Sequence, residues 1–261
     1  MKKLLILLLS VCLLLCLCAC DEEAASESAE TPESTAATEH LPQENTESTA
    51  AEASGESVSE EVTEEDILPI NYASALSYRD ESGVIRVLGI AWVVNTTDAP
   101  LALPACTMDF TDANGNIVCS ADSVSAYPPV IAPNESAYYY EKLEPDLADT
   151  CDLILSLTVP EPTSADVIRY EVGEITINDS PYGGLVLSSQ VTNTTSETGE
   201  LVCVAVVLFG ESDEPLAVVQ TVLMEPLAAG QTVDFYIEDF LLPAELTSDA
   251  VTSVQAFAYP L

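Results

Sequence analysis

Apolar and polar residues follow three different patterns along this 261-residue chain. Residues 4–17 are almost wholly apolar, and residues 21–66 are mostly polar or acidic. From Ile67 onward, short segments alternate between apolar and polar positions. Alternation over four to eight residues indicates a half-buried β-strand, because successive side chains of a strand point to opposite faces. The pattern therefore predicts an apolar leader, a polar segment and an all-β folded part.

The predicted strands are short and are separated by turn-forming residues. They comprise residues 83–94, 101–111, 117–120, 135–141 and 152–159, followed by residues 166–177, 185–191, 201–209, 215–223, 232–237 and 251–259. Residues 144–149 form one helical turn at most. Strands of this length and spacing are typical of immunoglobulin-like antiparallel sandwiches. The strand at 201–209 is apolar on both faces, so we expect its second face to be covered by a loop or to dock against another domain.

An internal repeat divides the alternating part into two halves. Four landmarks recur 96 to 100 residues later along the chain. The pairs are Val94–Thr97 with Thr192–Thr195, Phe110 with Phe209, Ile131–Ser136 with Leu227–Thr232, and Leu157–Pro160 with Phe257–Pro260. Nearly constant offsets indicate a duplication. The sequence therefore predicts tandem sandwich domains at residues 67–162 and 163–261, each large enough to hold its own core.

The first residues have the features of a secretory signal. Lys2 and Lys3 precede the apolar stretch, and Ala19 places a small residue directly before Cys20. A basic start, a short apolar region and a small residue at the cleavage point define such a signal. The alternative is an uncleaved membrane anchor, but the apolar stretch is shorter than the ~20 residues that span a bilayer.

The segment that ends in Cys20 resembles the lipobox of bacterial lipoproteins. Leu17, Ala19 and Cys20 fit that motif, whereas Cys18 occupies a place that usually holds a small or β-branched residue. The resemblance implies that residues 1–19 are removed and that Cys20 carries a diacylglycerol and an amide-linked acyl chain such as palmitate. A single acyl chain anchors only marginally, whereas this combination holds a protein firmly. The expected location is therefore the extracytoplasmic face of the bacterial cell membrane.

Residues 20–66 are predicted to be a disordered acidic tether that begins at lipidated Cys20. Sixteen of residues 21–66 are acidic, and none is aromatic, lysine or arginine. Such a composition buries too little apolar surface to offset chain entropy, and self-repulsion extends it. The alternative role of an acidic recognition tail has no motif to support it.

The charge and the histidine content exclude several classes of function. All 44 acidic residues follow residue 19, against four basic residues, namely Arg79, Arg86, Lys142 and Arg169. This balance disfavours nucleic acid as a partner. The single histidine, His40, lies in the predicted tether, which excludes histidine-dependent catalytic triads and most histidine metal sites. Carboxylate-only hydrolysis would need a cleft that such small domains scarcely offer, so we predict no enzyme activity and no cofactor.

The remaining candidate sites favour structural roles. Asp112, Asn114 and Asn116 begin like a calcium loop, but Gly115 is misplaced and the distant glutamate is missing, so a hairpin turn is predicted instead of a metal site. No cysteines have Cys-x-x-Cys spacing. Cys106 and Cys203 are expected on inward faces of equivalent strands as buried thiols. A disulfide between two of Cys106, Cys119 and Cys151 is allowed by an exported location, although free thiols are favoured.

Aromatic residues suggest one core position and one possible binding surface. Trp92 lies in the long strand at 83–94 and is expected to fill a sandwich core. Tyr138, Tyr139 and Tyr140 alternate between two faces, so at least one ring is expected to face solvent or a partner. Exposed tyrosines are favourable binding residues. Packing at a sheet edge is the alternative.

The run Met108–Gly115 resembles part of the small FxLYD-type domain of bacterial envelope proteins and lipoproteins. It follows Val93–Thr96 and precedes the turn at Ile131–Ser136, as in that family. In the second half, Gly210–Asp213 replaces the hairpin sequence. The resemblance implies an all-β sandwich and brings no catalytic residues.

Together these patterns predict a non-enzymatic, membrane-anchored extracytoplasmic lipoprotein. Its two sandwich modules would bind an envelope or extracellular protein or glycan. The alternative function is a structural spacer, or a subunit of an envelope complex, with no specific ligand.

Overall fold

The computed structural model describes residues 68–80 and 82–261, which lie within the compact unit Glu61–Leu261. Apart from one 3₁₀ turn at Ser248–Ala250, its regular structure is entirely β, which confirms the predicted fold class. The predicted signal peptide, Cys20 and the predicted tether lie outside the described residues. The strands are β1 (Ile70–Arg79), β2 (Ile85–Val94), β3 (Leu101–Ala102), β4 (Cys106–Thr111), β5 (Ile117–Val124), β6 (Ala126–Tyr127), β7 (Val130–Ile131), β8 (Ser136–Leu143), β9 (Ile154–Thr158), β10 (Thr163–Ser164), β11 (Glu171–Val172), β12 (Thr176–Asp179), β13 (Leu185–Thr192), β14 (Val202–Phe209), β15 (Pro215–Leu223), β16 (Thr232–Asp239) and β17 (Ser253–Pro260).

The long strands form two antiparallel sandwiches with the same topology. In the first sandwich, the sheet β1-β2-β8-β6 packs on the sheet β5-β4-β9. In the second, β13 pairs with β11, β12 and β16, and this sheet packs on β15-β14-β17. Strands β2, β4 and β8 thus correspond to β13, β14 and β16. The equivalent pairing agrees with the duplication inferred from the sequence.

Several strands differ from the sequence prediction. Pro104 lies between β3 and β4, where one strand was predicted, because proline cannot donate to a sheet ladder. Strand β1 was not predicted, and residues 166–177 form two short strands instead of one. Thr163 and Ser164, assigned above to the second domain, pair with β3 of the first half.

The core of the first sandwich depends on a close approach at Gly89 of β2. A Cβ atom added there would lie 2.6 Å from Phe110 Cζ, which is too short for any real contact. Phe110 and Met108, both fully buried on β4, fill the space that a side chain at position 89 would need. Glycine at this position therefore lets the two sheets pack closely.

Asn95, directly after β2, connects two of the repeated segments. Its Nδ2 donates to the carbonyl oxygens of Ala99, at 2.8 Å, and of Ile131, at 3.3 Å. Its Oδ1 accepts hydrogen bonds from Thr97 N, at 2.9 Å, and from Thr97 Oγ1, at 2.7 Å. The side chain is fully buried, so these bonds replace every contact with water.

Asn193 makes the same contacts after β13. Its Nδ2 donates to the carbonyl oxygens of Glu197, at 2.7 Å, and of Leu227, at 2.8 Å. Its Oδ1 accepts from Thr195 N and Thr195 Oγ1, at 2.9 and 2.7 Å. Two of the four repeated landmarks are therefore in contact within each sandwich, and Asn95 and Asn193 form the same bonds there.

Asp80 closes the turn between β1 and β2. Its Oδ1 accepts hydrogen bonds from Ser82 N at 3.0 Å, Ser82 Oγ at 2.6 Å and Val84 N at 3.0 Å. Its Oδ2 accepts from Arg86 Nε at 2.6 Å. The hydrogen bond from Ser82 and the nearby Arg86 guanidinium lower the pKa of Asp80 to about 2.

Replacing Asp80 with asparagine should reveal a stabilisation that depends on pH. Because the folded pKa lies below the unfolded value of about 3.9, the carboxylate stabilises the fold fully above pH ~4 and loses this effect as the pH falls through about 2. We expect the stability difference between the parent chain and Asp80→Asn to shrink over that range in urea denaturation. Asp98→Asn, at an exposed position, controls for the loss of one charge. A difference that stays constant down to pH 2 would contradict this role.

Candidate functional site

The three tyrosines predicted as a possible binding surface are buried. Tyr138, Tyr139 and Tyr140 are 2%, 0% and 7% exposed. Tyr139 points into the core of the first sandwich, where its hydroxyl donates to Pro104 O at 2.9 Å. Tyr138 and Tyr140 point to the opposite face of β8 and join the core cluster of the second sandwich. The expectation of an exposed aromatic ring is therefore wrong, because the chain's own second half covers that face.

Tyr138 lies at the centre of the junction between the sandwiches. Its ring centroid is 5.9 Å from that of Phe209 and 6.5 Å from that of Phe257. Its hydroxyl donates to Gln255 Oε1 at 2.9 Å, and burial raises the pKa of Tyr138 to about 12. Trp92 stacks on this tyrosine with ring centroids 6.3 Å apart. Trp92 therefore packs at the junction, not in the first sandwich core where it was predicted.

Strand β14 explains why the sandwiches dock. Val204, Val206 and Leu208 alternate with Cys203 and Ala205, and all are buried. Val204, Val206 and Leu208 pack inside the second sandwich. Cys203 and Ala205 lie on the same face as Phe209, which points toward the first sandwich. Of the two explanations offered for the extra apolar face of this strand, docking against the other sandwich is the one observed.

Ion pairs link the two sandwiches at the edge of the junction. Lys142 Nζ pairs with Asp239, and Arg169 lies 3.2 Å from Glu135 Oε2 while also donating to Val130 O. The other two basic residues of the described ranges, Arg79 and Arg86, pair with carboxylates inside the first sandwich; their partners are Asp149, Asp80 and Glu144. Every basic side chain of the described residues is thus paired with an acid.

A cleft of about 290 Å³ opens between the sandwiches beside the Lys142–Asp239 pair. Gln220, Glu238 and Leu241 also line it, together with Tyr140. Burial and the nearby Asp239 carboxylate raise the pKa of Tyr140 well above its ordinary value, so this phenol remains protonated at neutral pH. The group can donate a hydrogen bond but cannot act as a base.

The described cysteines are unpaired thiols. Cys106 is buried in the first core, where burial raises its pKa to about 12, and Cys203 is buried against the junction instead of inside its own sandwich. No disulfide joins Cys106, Cys119 or Cys151. Thiols with raised pKa values are poor nucleophiles at neutral pH.

The suspected calcium loop is a hairpin turn between β4 and β5, as predicted. Asp112 Oδ1 accepts the backbone N–H groups of Asn114 and Asn116, each at 2.9 Å, and Gly115 takes a positive φ of 82°. Side-chain and backbone hydrogen bonds from Asn116 lower the pKa of Asp112 to about 2. In the part of the chain that the structure describes, no cluster of three His, Cys, Asp or Glu side chains is placed to hold a metal ion.

Comparison with known proteins gives no assignment: no protein-family model and no curated protein matches this chain. Within residues 68–80 and 82–261, no helix has the length and apolar character needed to cross a bilayer.

Proposed function

We propose that this chain is a non-enzymatic lipoprotein that presents its two sandwiches, as one rigid unit, to an envelope or extracellular protein or glycan. Cys20 carries the lipid, and the acidic segment behind it links the membrane to the folded part. The resemblance of residues 17–20 to a lipobox supports the anchor.

The docked junction is the observation that supports presentation as a rigid unit. Tyr138 contacts Phe209 and Phe257 across it, and two ion pairs hold its edge. A large apolar contact fixes two domains relative to each other, whereas small polar contacts leave them free to move. Surfaces on both sandwiches therefore keep a constant spacing, which suits recognition of an extended partner.

A structural spacer is the second candidate, and the burial of Tyr138 and Tyr140 favours it. The aromatic residues that sequence analysis offered for ligand binding serve the internal junction instead. The two functions differ in one measurable property. A binding protein is retained saturably on envelope material and competes with its own unlabelled form, whereas a spacer is not retained and depends on tether length.

Replacing Cys20 with serine should release the protein from the membrane. Serine offers no thiol for the diacylglycerol, so the hydrophobic attachment is lost. We expect the parent chain to sediment with membranes and to incorporate labelled fatty acid, and Cys20→Ser to do neither. Cys18→Ser, two residues earlier, is the matched control and should remain lipidated. Fatty-acid labelling of Cys20→Ser equal to that of the parent would refute the anchor.

A further inference from the structure

Strand β1 forms a free sheet edge that is long and carries no charge until its last residue. It pairs regularly with β2 along residues 72–79, after an irregularity between Ile70 and Tyr72, and among the described strands it pairs with no other. From Ile67 to Tyr78 the chain contains no Asp, Glu, Lys or Arg. Proteins normally protect such edges with charges, proline, bulges or very short strands, because unpaired backbone groups invite another strand to bind.

The second sandwich protects the corresponding edge in several of these ways. There the edge is divided into β11 and β12, with one extra residue between the pairs Val172↔Val191 and Thr176↔Ser188. Three acids occupy this short edge, namely Glu171, Glu174 and Asp179. Next to it, Tyr170 N donates to Ala258 O at 2.8 Å and joins the two sheets. The duplicated edge is thus interrupted and acidic in the second sandwich, and continuous and uncharged over residues 72–78 in the first.

A groove of about 390 Å³ runs beside the open edge. Its walls are residues 75–77 of β1 and residues 150–153 before β9. Ser77 Oγ crosses the groove at one point, where it donates to Cys151 O at 2.6 Å and accepts from Cys151 N at 2.8 Å. Leu76, the residue before Ser77, is 45% exposed and lines the groove with apolar surface.

The surroundings of the groove are acidic. Asp152 lines it, Asp146 lies just before its wall, and the nearby Asp149 is paired with Arg79 at the end of β1. Residues 67–261 carry 28 acidic and four basic side chains, and the described basic residues are already paired. A second copy of this chain would therefore meet electrostatic repulsion at this edge, whereas a basic segment would be attracted.

We propose that the β1 edge binds an extended segment of a partner protein by strand addition. The partner segment has an apolar residue to meet Leu76 and basic residues to meet Asp146 and Asp152. Main-chain hydrogen bonds to β1 supply affinity, and the alternating side chains supply selectivity. This inference rests on the proposed binding function and names the class of partner.

Binding of a designed peptide tests the proposal. The probe is a short, end-capped peptide of alternating valine and threonine with a lysine at each end, and its matched control has glutamate at each end. The protein is the chain from residue 20 with Cys20→Ser, which keeps the acidic segment. We expect saturable binding of the lysine peptide in fluorescence anisotropy, weakening with added salt. Hydrogen exchange should show new protection of amides in residues 71–77.

A pair of variants locates the site. Leu76→Lys places a charge on the β1 edge, and Ile117→Lys makes the same change at a 64% exposed position on β5. We expect Leu76→Lys to weaken binding of the lysine peptide at least about tenfold, as a charge on an edge strand opposes strand addition. Ile117→Lys should bind like the parent. Thermal unfolding of both variants checks that each remains folded.

Four results would overturn the proposal. The first is that the lysine peptide does not bind saturably, and the second is that the glutamate peptide binds equally well. The third is self-association in sedimentation that Leu76→Lys abolishes. The fourth is that the β1 amides are protected from exchange in the free chain and lose this protection when residues 21–60 are deleted. The third result would identify a second copy as the occupant, and the fourth would identify the chain's own acidic segment. Envelope retention that persists without peptide binding would leave the proposed function standing and remove only this site.

Discussion

Replacing Asn95 with alanine should lower the free energy of unfolding by about 3 kcal/mol. The substitution removes a fully buried amide that donates to Ala99 O and Ile131 O and accepts two bonds from Thr97. Alanine leaves these groups buried without partners, and each unsatisfied buried group costs about 1–3 kcal/mol. Asn193→Ala should have a similar effect, since its contacts in the second sandwich are the same. Urea denaturation followed by circular dichroism measures both.

Two further substitutions separate this effect from a general loss of asparagine. Asn178→Ala changes an exposed residue of β12 and should alter stability by less than about 0.5 kcal/mol. Asn95→Asp keeps an acceptor oxygen but loses the donor amide, and it places a carboxylate against two carbonyl oxygens. We expect it to be at least as destabilising as alanine. A loss below about 1 kcal/mol for both Asn95 variants would show that these bonds do not hold the sandwich together.

The sequence predicts the sandwich fold because alternation survives in most of the strands. Strand β4 is a clear case, since Cys106, Met108 and Phe110 are buried while Thr107 and Asp109 are not. The alternation of apolar and polar residues does not identify strand β1. Alanine and serine, which favour strands weakly, occupy four of its ten positions. It forms a strand because β2 offers a long partner, which is a property of the folded chain and not of the segment itself.

The burial of the tyrosines depends on tertiary packing that strand periodicity does not determine. Alternation places Tyr138 and Tyr139 on opposite faces of β8, but it does not say what covers each face. The sequence does indicate this docking in one respect, because β2 and β14 are apolar on both faces. Leu88, Ile90 and Trp92 of β2 alternate with inward residues and join the cluster that contains β14. Two doubly apolar strands in one chain indicate two surfaces that cover each other.

This docking changes how binding surfaces on the protein should be sought. The junction uses the tyrosines that the sequence offered for recognition, so a partner's surface lies elsewhere, on exposed aromatic residues such as Tyr182 and Tyr236 or on backbone edges. Duplication gave two similar sandwiches, and the charges on their edges then diverged: β11 and β12 carry acids, while β1 stays neutral until Arg79. Of these two corresponding edges, the β1 edge is the one without acidic side chains. The proposed strand addition depends on this difference between the two edges.

Replacing Ala205 with aspartate should open the junction and lower the free energy of unfolding by about 4 kcal/mol. Ala205 is fully buried and pairs with Phe257, whose ring contacts Tyr138 across the junction. A carboxylate at this position would be buried without a partner. Separating the sandwiches therefore costs less free energy than keeping this charge buried. The single tryptophan, Trp92, stacks on Tyr138 and reports the junction directly. Its fluorescence should shift to longer wavelength in native buffer, while circular dichroism still shows folded strands.

The same experiment distinguishes a rigid unit from two linked modules. In the parent chain, Trp92 fluorescence and circular dichroism should follow one unfolding transition, because each sandwich is stabilised by the other. In Ala205→Asp the fluorescence change should come first and the two probes should separate. Ala244→Asp adds the same charge at an exposed loop position and should leave the transitions coincident. If Ala205→Asp kept the parent fluorescence and a single transition, the junction would not be what orients the sandwiches, and presentation as one rigid unit would fail with it.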